Sequence, residues 1–270
     1  MVQYVHPTRS GGSLSSRCHS FHNVFADSLH PPSDSPFLTL SDTPYPLEPN
    51  TVLTQAVFPS PLYVITPDVA DRGQWLALVT AALEAGAPLI QYRDKINPMP
   101  EKLHRARALA QLCQQHGARL IINDDLVLAL ACSADGVHLG GEDGSIRDAR
   151  RLLPPGALIG ASCYDDLALA QQALADGASY VAFGACFDSP TKPAARHVST
   201  AQLEAFRNAL GPSVPICGIG GITRENVAQL NGKVNAVALI SELFGSPQAS
   251  ATPESVRQRV RHFIAAPLTA

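Results

Sequence analysis

From residue 61 onward, short apolar or β-branched runs alternate with longer stretches in which apolar residues recur at helical spacing. The runs fall at Leu62–Thr66, Leu89–Arg93, Leu120–Asn123, Gly136–Leu139, Leu158–Ser162, Tyr180–Gly184, Ile216–Gly220 and Ala236–Ser241. Each is close to continuously apolar, the pattern of strands buried on both faces of a parallel sheet. The stretches between them predict helices at Gln74–Ala85, Glu101–His116, Leu126–Cys132, Ile146–Leu153, Asp165–Ala175, Thr200–Leu210 and Arg224–Leu230, with an eighth at Pro253–Ala265. Glycines such as Gly117 and Gly211 follow these helices, and Thr223 precedes Arg224 as an N-cap. Eight βα units in about 210 residues predict a (β/α)8 TIM barrel, an α/β fold, spanning 61–270. A doubly wound open sheet would call for a dinucleotide-binding Gly-x-Gly-x-x-Gly after the first strand, and none is present. In a barrel the residues ending the strands face the site, so chemistry is sought at eight strand ends.

Residues 1–60 break the pattern. They hold eight prolines and ten serines but only six charged side chains. Such a segment buries too little apolar surface to offset its ordering entropy. The expectation is a disordered Pro/Ser-rich N-terminal extension without catalytic role. A cleaved targeting peptide and a start codon placed too far upstream are the competing readings, which N-terminal mass spectrometry of the native protein would separate.

Composition changes the picture mainly by exclusion. The formal charge is −3, and the charged residues are of mixed sign with no Lys/Arg block, so nucleic-acid binding has no electrostatic footprint. The best apolar run, Trp75–Leu83, ends at Glu84 and is too short for a membrane span. Cys113, Cys132, Cys163, Cys186 and Cys217 lie in or beside apolar segments without a Cys-x-x-Cys spacing, which predicts buried thiols in a reducing cytoplasm. The expectation is a soluble, cytoplasmic protein acting on small molecules.

The strand ends carry the candidate chemistry. Strand two ends in Gln91-Tyr92-Arg93-Asp94-Lys95, where two cations on one side suit a phosphate: the guanidinium as a fork, the ammonium as a point charge. Tyr92 and Asp94 complete that run and are counted with it as substrate-binding, although alternation turns Tyr92 away from Gln91 and Arg93. Strand three ends in Asn123 and Asp124, and strand four is followed by Asp143. Alone, each carboxylate reads as a helix N-cap, and Asp124 or Asp125 suits the helix at Leu126. Paired across adjacent strands, Asp124 and Asp143 could hold Mg²⁺, which takes one or two carboxylates plus substrate phosphates. His138 reads as a histidine satisfied in the barrel wall. Ser162 ends strand five, and Asp188-Ser189-Pro190-Thr191-Lys192-Pro193 follows strand six in a loop long enough for a lid. Gly220-Gly221 after strand seven and Ile240-Ser241 after strand eight suit a phosphate held by backbone N–H groups. Two anion sites argue for two phosphorylated substrates, or one carrying a phosphate at each end.

Taken together, LYVITPD (62–68), QYRDK (91–95), IINDD (121–125), ADGVHLGGED (134–143), IGAS (159–162), FGACFDSPTKP (183–193), PICGIGGIT (215–223) and AVALIS (236–241) resemble the thiamine phosphate synthase family. The resemblance implies a (β/α)8 transferase that joins a hydroxymethylpyrimidine diphosphate to a thiazole phosphate and releases pyrophosphate. It implies that Gln91, Arg93, Lys95, Asn123, Ser162 and Lys192 hold the pyrimidine diphosphate, and that Asp124 and Asp143 ligate Mg²⁺. Ser189, Pro190, Thr191, Gly221, Ile240 and Ser241 would seat the thiazole phosphate. Arg93, Lys95, Lys192 and Ser162 are the catalytic candidates. The implied reaction is dissociative, with a pyrimidine cation captured by the thiazole nitrogen, and needs no protein nucleophile or strong base.

The chain departs from the family's usual residues at Tyr92, Gly141 and Ser189, where Leu, Gln and Thr are common. Gly141 removes a side chain from the loop that aims Asp143, which is expected to loosen that loop and touch metal affinity rather than activity. A thiazole tautomerase on the same barrel is the nearest rival, against which Asp124, Asp143 and Lys192 together count. A non-catalytic regulatory paralogue would be free to lose Arg93 and Lys95, and a phosphosugar isomerase would need an acid/base pair that is not identifiable. A homo-oligomer is compatible with all of these readings.

Overall fold

Each apolar run becomes a strand hydrogen-bonded to the next in sequence, and the last returns to the first. The computed structural model describes residues 57–188, 197–246, 249–265 and 268. The strands are β1 (Leu62–Ile65), β2 (Leu89–Tyr92), β3 (Arg119–Asn123), β4 (Gly136–Leu139), β5 (Leu158–Tyr164), β6 (Tyr180–Phe183), β7 (Ile216–Ile219) and β8 (Ala236–Leu239). All pair in parallel, and β8 closes on β1 with Leu62 opposite Val237. A period of two divides their side chains between an inner and an outer layer. Tyr63, Ile65, Leu89, Ile121, Leu158, Tyr180, Ala182, Cys217, Ala236 and Ala238 fill the barrel interior, while their neighbours pack under the helices.

The helices are α1 (Arg72–Glu84), α2 (Met99–His116), α3 (Leu126–Ala131), α4 (Ile146–Leu152), α5 (Leu167–Ala175), α6 (Thr200–Leu210), α7 (Ser241–Phe244) and α8 (Pro253–Ala265). Their starts follow local chemistry. Asp71, Asp125, Ser145, Asp166 and Ser199 each accept a backbone N–H of the first turn of the helix they precede. Gly117 ends α2 at φ 66°, a left-handed C-cap conformation that a side chain would strain. The seventh predicted helix is only a 3-10 turn, Val227–Leu230. Asn226 folds back so that its Oδ1 accepts from Thr223 N (2.8 Å), and Thr223 Oγ1 accepts from Glu225 N (3.3 Å). These bonds compete with helical ones. A four-residue helix, α7, appears instead where strand eight was expected to continue to Ser241.

The N-terminal end of the barrel is tied by side chains. Asp135, Ser179 and Asn235, each just before an even-numbered strand, accept from an early amide of the preceding odd strand: Leu120 N (2.7 Å), Ile159 N (3.0 Å) and Ile216 N (2.8 Å). Arg150 on α4 and Arg207 on α6 donate to Ser179 Oγ and Asn235 Oδ1 and to neighbouring carbonyls. Val57 and Phe58, assigned to the extension from sequence, are instead buried. Phe58 meets Tyr180 edge-on at 5.2 Å and plugs this end. Burying a side chain of that size contributes about 1.5–3 kcal/mol, enough to hold the segment before β1 against this end. The rest of the extension, 1–56, lies outside the described residues.

Candidate active site

The strand ends open into one cavity of about 940 Å³, the size of a small-ligand site. Gln91, Arg93, Lys95, Asn123, Asp124, Asp143, Ser162, Gly221, Ile240 and Ser241 all line it. Ser189, Pro190, Thr191 and Lys192, with the lid they were expected to form, lie outside the described residues.

The structure places Tyr92 and Asp94 off this cavity, against an adjoining cleft of about 460 Å³ that shares Lys95, Asn123, Asp124 and Asp143 with it. Alternation turns Tyr92 outward onto Trp75, with ring centroids 5.8 Å apart, and its hydroxyl donates to Asp94 Oδ2 (2.8 Å). Asp94 Oδ1 accepts from the amides of Ile96 and Asn97, so this carboxylate shapes the loop after β2.

The Arg93 guanidinium is held by a carboxylate that sequence reasoning missed. Asp68, just beyond β1, takes Arg93 through Oδ2 (2.7 Å) and the Lys95 backbone N–H through Oδ1 (2.9 Å). Thr66 Oγ1 joins the two strand ends by accepting from Arg93 N and donating to Arg93 O, both at 3.0 Å. The end of strand one, Thr66-Pro67-Asp68, places a carboxylate at the rim and was the available signal.

Asp125, not Asp124, caps α3, which leaves Asp124 free to face the cavity. Asp124 sits at φ 65°, a left-handed conformation that costs a non-glycine residue about 1–2 kcal/mol. Its amide donates to His138 O (2.8 Å), and Oδ2 meets Lys95 Nζ at 2.6 Å. Asp143 is likewise no cap, since Ser145 caps α4; its Oδ2 accepts from Gly140 N at 2.9 Å. The two carboxylates are within hydrogen-bonding reach of each other. Burial pulls the Asp124 carboxyl upward, but the hydrogen bonds from Lys95 and with Asp143 outweigh it and hold it below the usual value. Burial and then Asp124 push Asp143 the other way. Two carboxylates sharing one proton repel once both ionise, and a divalent cation relieves that repulsion, so the pair fits a hard, oxygen-preferring ion. Among the described residues no third His, Cys, Asp or Glu joins them. The remaining positions would fall to water and ligand oxygens.

Below the rim, the floor is a hydrogen-bonded row. Gln91 Nε2 donates to Tyr63 OH (2.9 Å), Tyr63 OH meets Tyr180 OH (2.8 Å), and Tyr180 OH meets His138 Nδ1 (3.0 Å). His138 Nε2 then meets Ser162 Oγ at 2.9 Å. Burial pushes the His138 imidazole down to about 4, with Asp124 opposing, so the ring is neutral at physiological pH. His138 is thus satisfied in the barrel wall, and it also lines the cavity.

At the rim of β5 a bulge separates Ser162 from Tyr164, which adopts φ 53° and half-exposes its ring beside Gly140. Across the mouth, Gly221 lies at φ 64°, and a Cβ there would come within 2.4 Å of the Phe187 and Asp188 carbonyls. Glu242, also unpredicted, closes this side in an ion pair with Arg224 (3.4 Å). The site therefore has a charged half, with two cations and the three carboxylates of Asp68, Asp124 and Asp143, and a half around Gly220, Gly221 and Ser241 that offers backbone groups.

Residues 62–243 match the sequence model of the thiamine monophosphate synthase family. The thiamine-phosphate synthase of Chromobacterium violaceum is 45% identical over 196 residues, 72% of this chain and 93% of that protein. That of Azoarcus sp. strain BH72 is 47% identical over 186 residues, covering 68% and 89%. Among solved structures, the thiamine phosphate pyrophosphorylase of Pyrococcus furiosus is 33% identical with a TM-score of 0.62, covering 76% of this chain and 96% of that one. No helix among the described residues is long and apolar enough to cross a membrane.

Proposed function

The chain belongs to the thiamine monophosphate synthase family, a family of transferases, and on that premise we propose that its barrel joins a hydroxymethylpyrimidine diphosphate to a thiazole phosphate with Mg²⁺ as cofactor. The observation that carries the reading is the Asp124–Asp143 pair beside Lys95 and Arg93, a donor set suited to a metal-bound diphosphate. In the reaction, the bond from the pyrimidine methylene carbon to the diphosphate oxygen breaks, and its electron pair leaves on that oxygen. The thiazole nitrogen then gives its lone pair to the same carbon. No proton need move. Arg93 and Lys95 hold the negative charge growing on the leaving group, worth most where water is excluded. Asp68 keeps Arg93 aimed. Bound Mg²⁺ would supply Lewis-acid stabilisation of the departing pyrophosphate, held by Asp124 and Asp143. Asn123 and Gln91 orient the ring, Ser162 meets the diphosphate side, and Gly221, Ile240 and Ser241 receive the thiazole phosphate. Positioning two substrates in one cavity supplies much of the rate. The rival isomerase has no use for the paired carboxylates. Five buried thiols, Cys113, Cys132, Cys163, Cys186 and Cys217, support the reading of a reducing cytoplasm.

The test is a coupled assay of pyrophosphate release across a Mg²⁺ titration, with both substrates and with each alone. Release should require both substrates and fall to background in EDTA. Asp124→Ala and Asp143→Ala should each raise the Mg²⁺ requirement at least about tenfold, the loss of one charge-assisted ligand. Full activity of either variant at limiting Mg²⁺ overturns the metal assignment.

A further inference from the structure

Tyr180 is buried and does not line the cavity; it reaches the site by packing its ring on Tyr63 and His138 and by hydrogen-bonding both through its hydroxyl. We propose that Tyr180 is a positioning residue: it closes a one-way hydrogen-bond chain from Gln91 to Ser162 that puts the His138 proton on Nε2 and leaves the Ser162 hydroxyl hydrogen for the ligand.

With the Gln91 amide turned nitrogen-first toward Tyr63, the direction follows from counting donors. Gln91 Nε2 donates to Tyr63 OH, so the Tyr63 oxygen already accepts once. If it also accepted from Tyr180, its own hydrogen would have no protein acceptor among the described residues, an orphaned donor at the bottom of the site. Tyr63 therefore donates to Tyr180. Tyr180, having accepted, donates to His138 Nδ1, which must be the bare nitrogen. The proton of a neutral imidazole then sits on Nε2 and goes to Ser162 Oγ. A doubly protonated ring would reverse the Tyr180 bond and orphan Tyr63 again. With its oxygen accepting from His138, Ser162 turns its hydrogen toward the cavity. At the other end the Gln91 carbonyl is left as an acceptor. One chain thus sets a donor at one wall and an acceptor at the other.

The packing is built around this chain. Gly160 stands opposite, and a Cβ there would lie 2.2 Å from Tyr180 Cζ and 2.3 Å from His138 Nδ1. Only the missing side chain lets the two rings meet. Tyr63 and Tyr180 pack edge to face at 5.9 Å, and Phe58 holds Tyr180 from below at 5.2 Å. Burial raises both phenols, so both remain protonated and able to donate. That Ser162 donates to the leaving diphosphate rests on the proposed function. The tautomer does not.

The experiment is long-range ¹H–¹⁵N correlation spectroscopy on the whole, ligand-free protein with ¹⁵N-labelled histidine, the His138 signals being assigned by their loss in His138→Gln. A protonated Nε2 with a bare Nδ1 is expected, while a proton on Nδ1, or on both nitrogens, overturns the proposal without any variant having to fold. In Tyr180→Phe the single tautomer should give way to a mixture. Pyrophosphate release should then lose about tenfold in kcat, one hydrogen bond's worth, with KM for the thiazole phosphate unchanged. A variant that loses the tautomer but keeps kcat, or loses kcat while keeping the tautomer, overturns the positioning role. The expected tautomer in a protein that releases no pyrophosphate would instead refute the proposed reaction and leave the chain standing.

Discussion

A Cβ on Gly140 would lie 2.6 Å from Asp143 Oδ2, whereas one on Gly141 would meet nothing within 4 Å. Asp143 is aimed by Gly140, whose N–H donates to it, and whose carbonyl accepts from the Asp143 amide at 3.2 Å. At Gly141, the position expected from sequence to loosen this loop, an added side chain would start in open space. Gly140→Ala should therefore push Asp143 out of line and raise the Mg²⁺ concentration for half-maximal pyrophosphate release several-fold, as misplacing one ligand does. Gly141→Gln should leave it unchanged; a Gly141→Gln curve displaced as far as that of Gly140→Ala would refute this account. The rim residues were legible because strand periodicity decides which side chains face the axis, and Gln91, Arg93, Asn123 and Ser162 obey it, while Asp124, one place after Asn123, reaches the cavity through its left-handed φ of 65°. The floor was not. Tyr63 and Tyr180 read as ordinary strand residues, and their bond spans 117 positions, a distance no local pattern reports.

At the scale of elements, α2 reaches the site through one buried charge. Arg105 is 2% exposed and donates to Glu101 (2.8 Å), Val69 O (2.7 Å) and Ala70 O (2.6 Å), with its guanidinium 5.2 Å from the Trp75 ring centre. It pins the loop after β1 beside Asp68, and so stands behind the carboxylate that holds Arg93. Arg105→Leu would strand two carbonyls and half of the Glu101 pairing, and should cost about 2–4 kcal/mol in urea unfolding. Arg105→Lys should recover less than half, because a point charge cannot serve both carbonyls and the carboxylate in their present directions. Equal stability of Arg105→Leu and the parent protein would refute this role. The run Met99–His116 was legible as a helix, and its spacing sets Arg105 on the face of Leu109 and Cys113, but no local pattern names the carbonyls of Val69 and Ala70 that it meets. The seventh unit misled for the converse reason: Arg224–Leu230 has helical apolar spacing, and Asn226 overrules it with two side-chain bonds, to Thr223 N and Gly221 O.

For the whole molecule, the eightfold architecture was legible throughout, since eight doubly buried runs in order leave little choice but closure. The polar residues beneath it were overlooked: only the structure pairs Asp135, Ser179 and Asn235 with β3, β5 and β7. Those ties link partners only 15, 20 and 19 positions apart, so each closes a small loop at little entropic cost. Among the described residues they join β3 to β4, β5 to β6 and β7 to β8 at this end of the barrel, whereas the side-chain bond between β4 and β5, His138 to Ser162, lies at the other end. The exposed turn Pro154-Pro155-Gly156 runs between those two strands. The barrel should therefore divide there, with Arg150 rejoining the two pieces through Ala157 O, Gly177 O and Ser179 Oγ. Two chains severed after Pro155 and produced together should reassemble into a complex of the parent's size and circular dichroism, while chains severed after Ser133, inside the first tied loop, should do so poorly. Equal recovery from both cuts would refute this ordering. A seam of this kind makes a closed, continuous sheet behave as two separable pieces of folding information, each able to find its own strands before it needs the other.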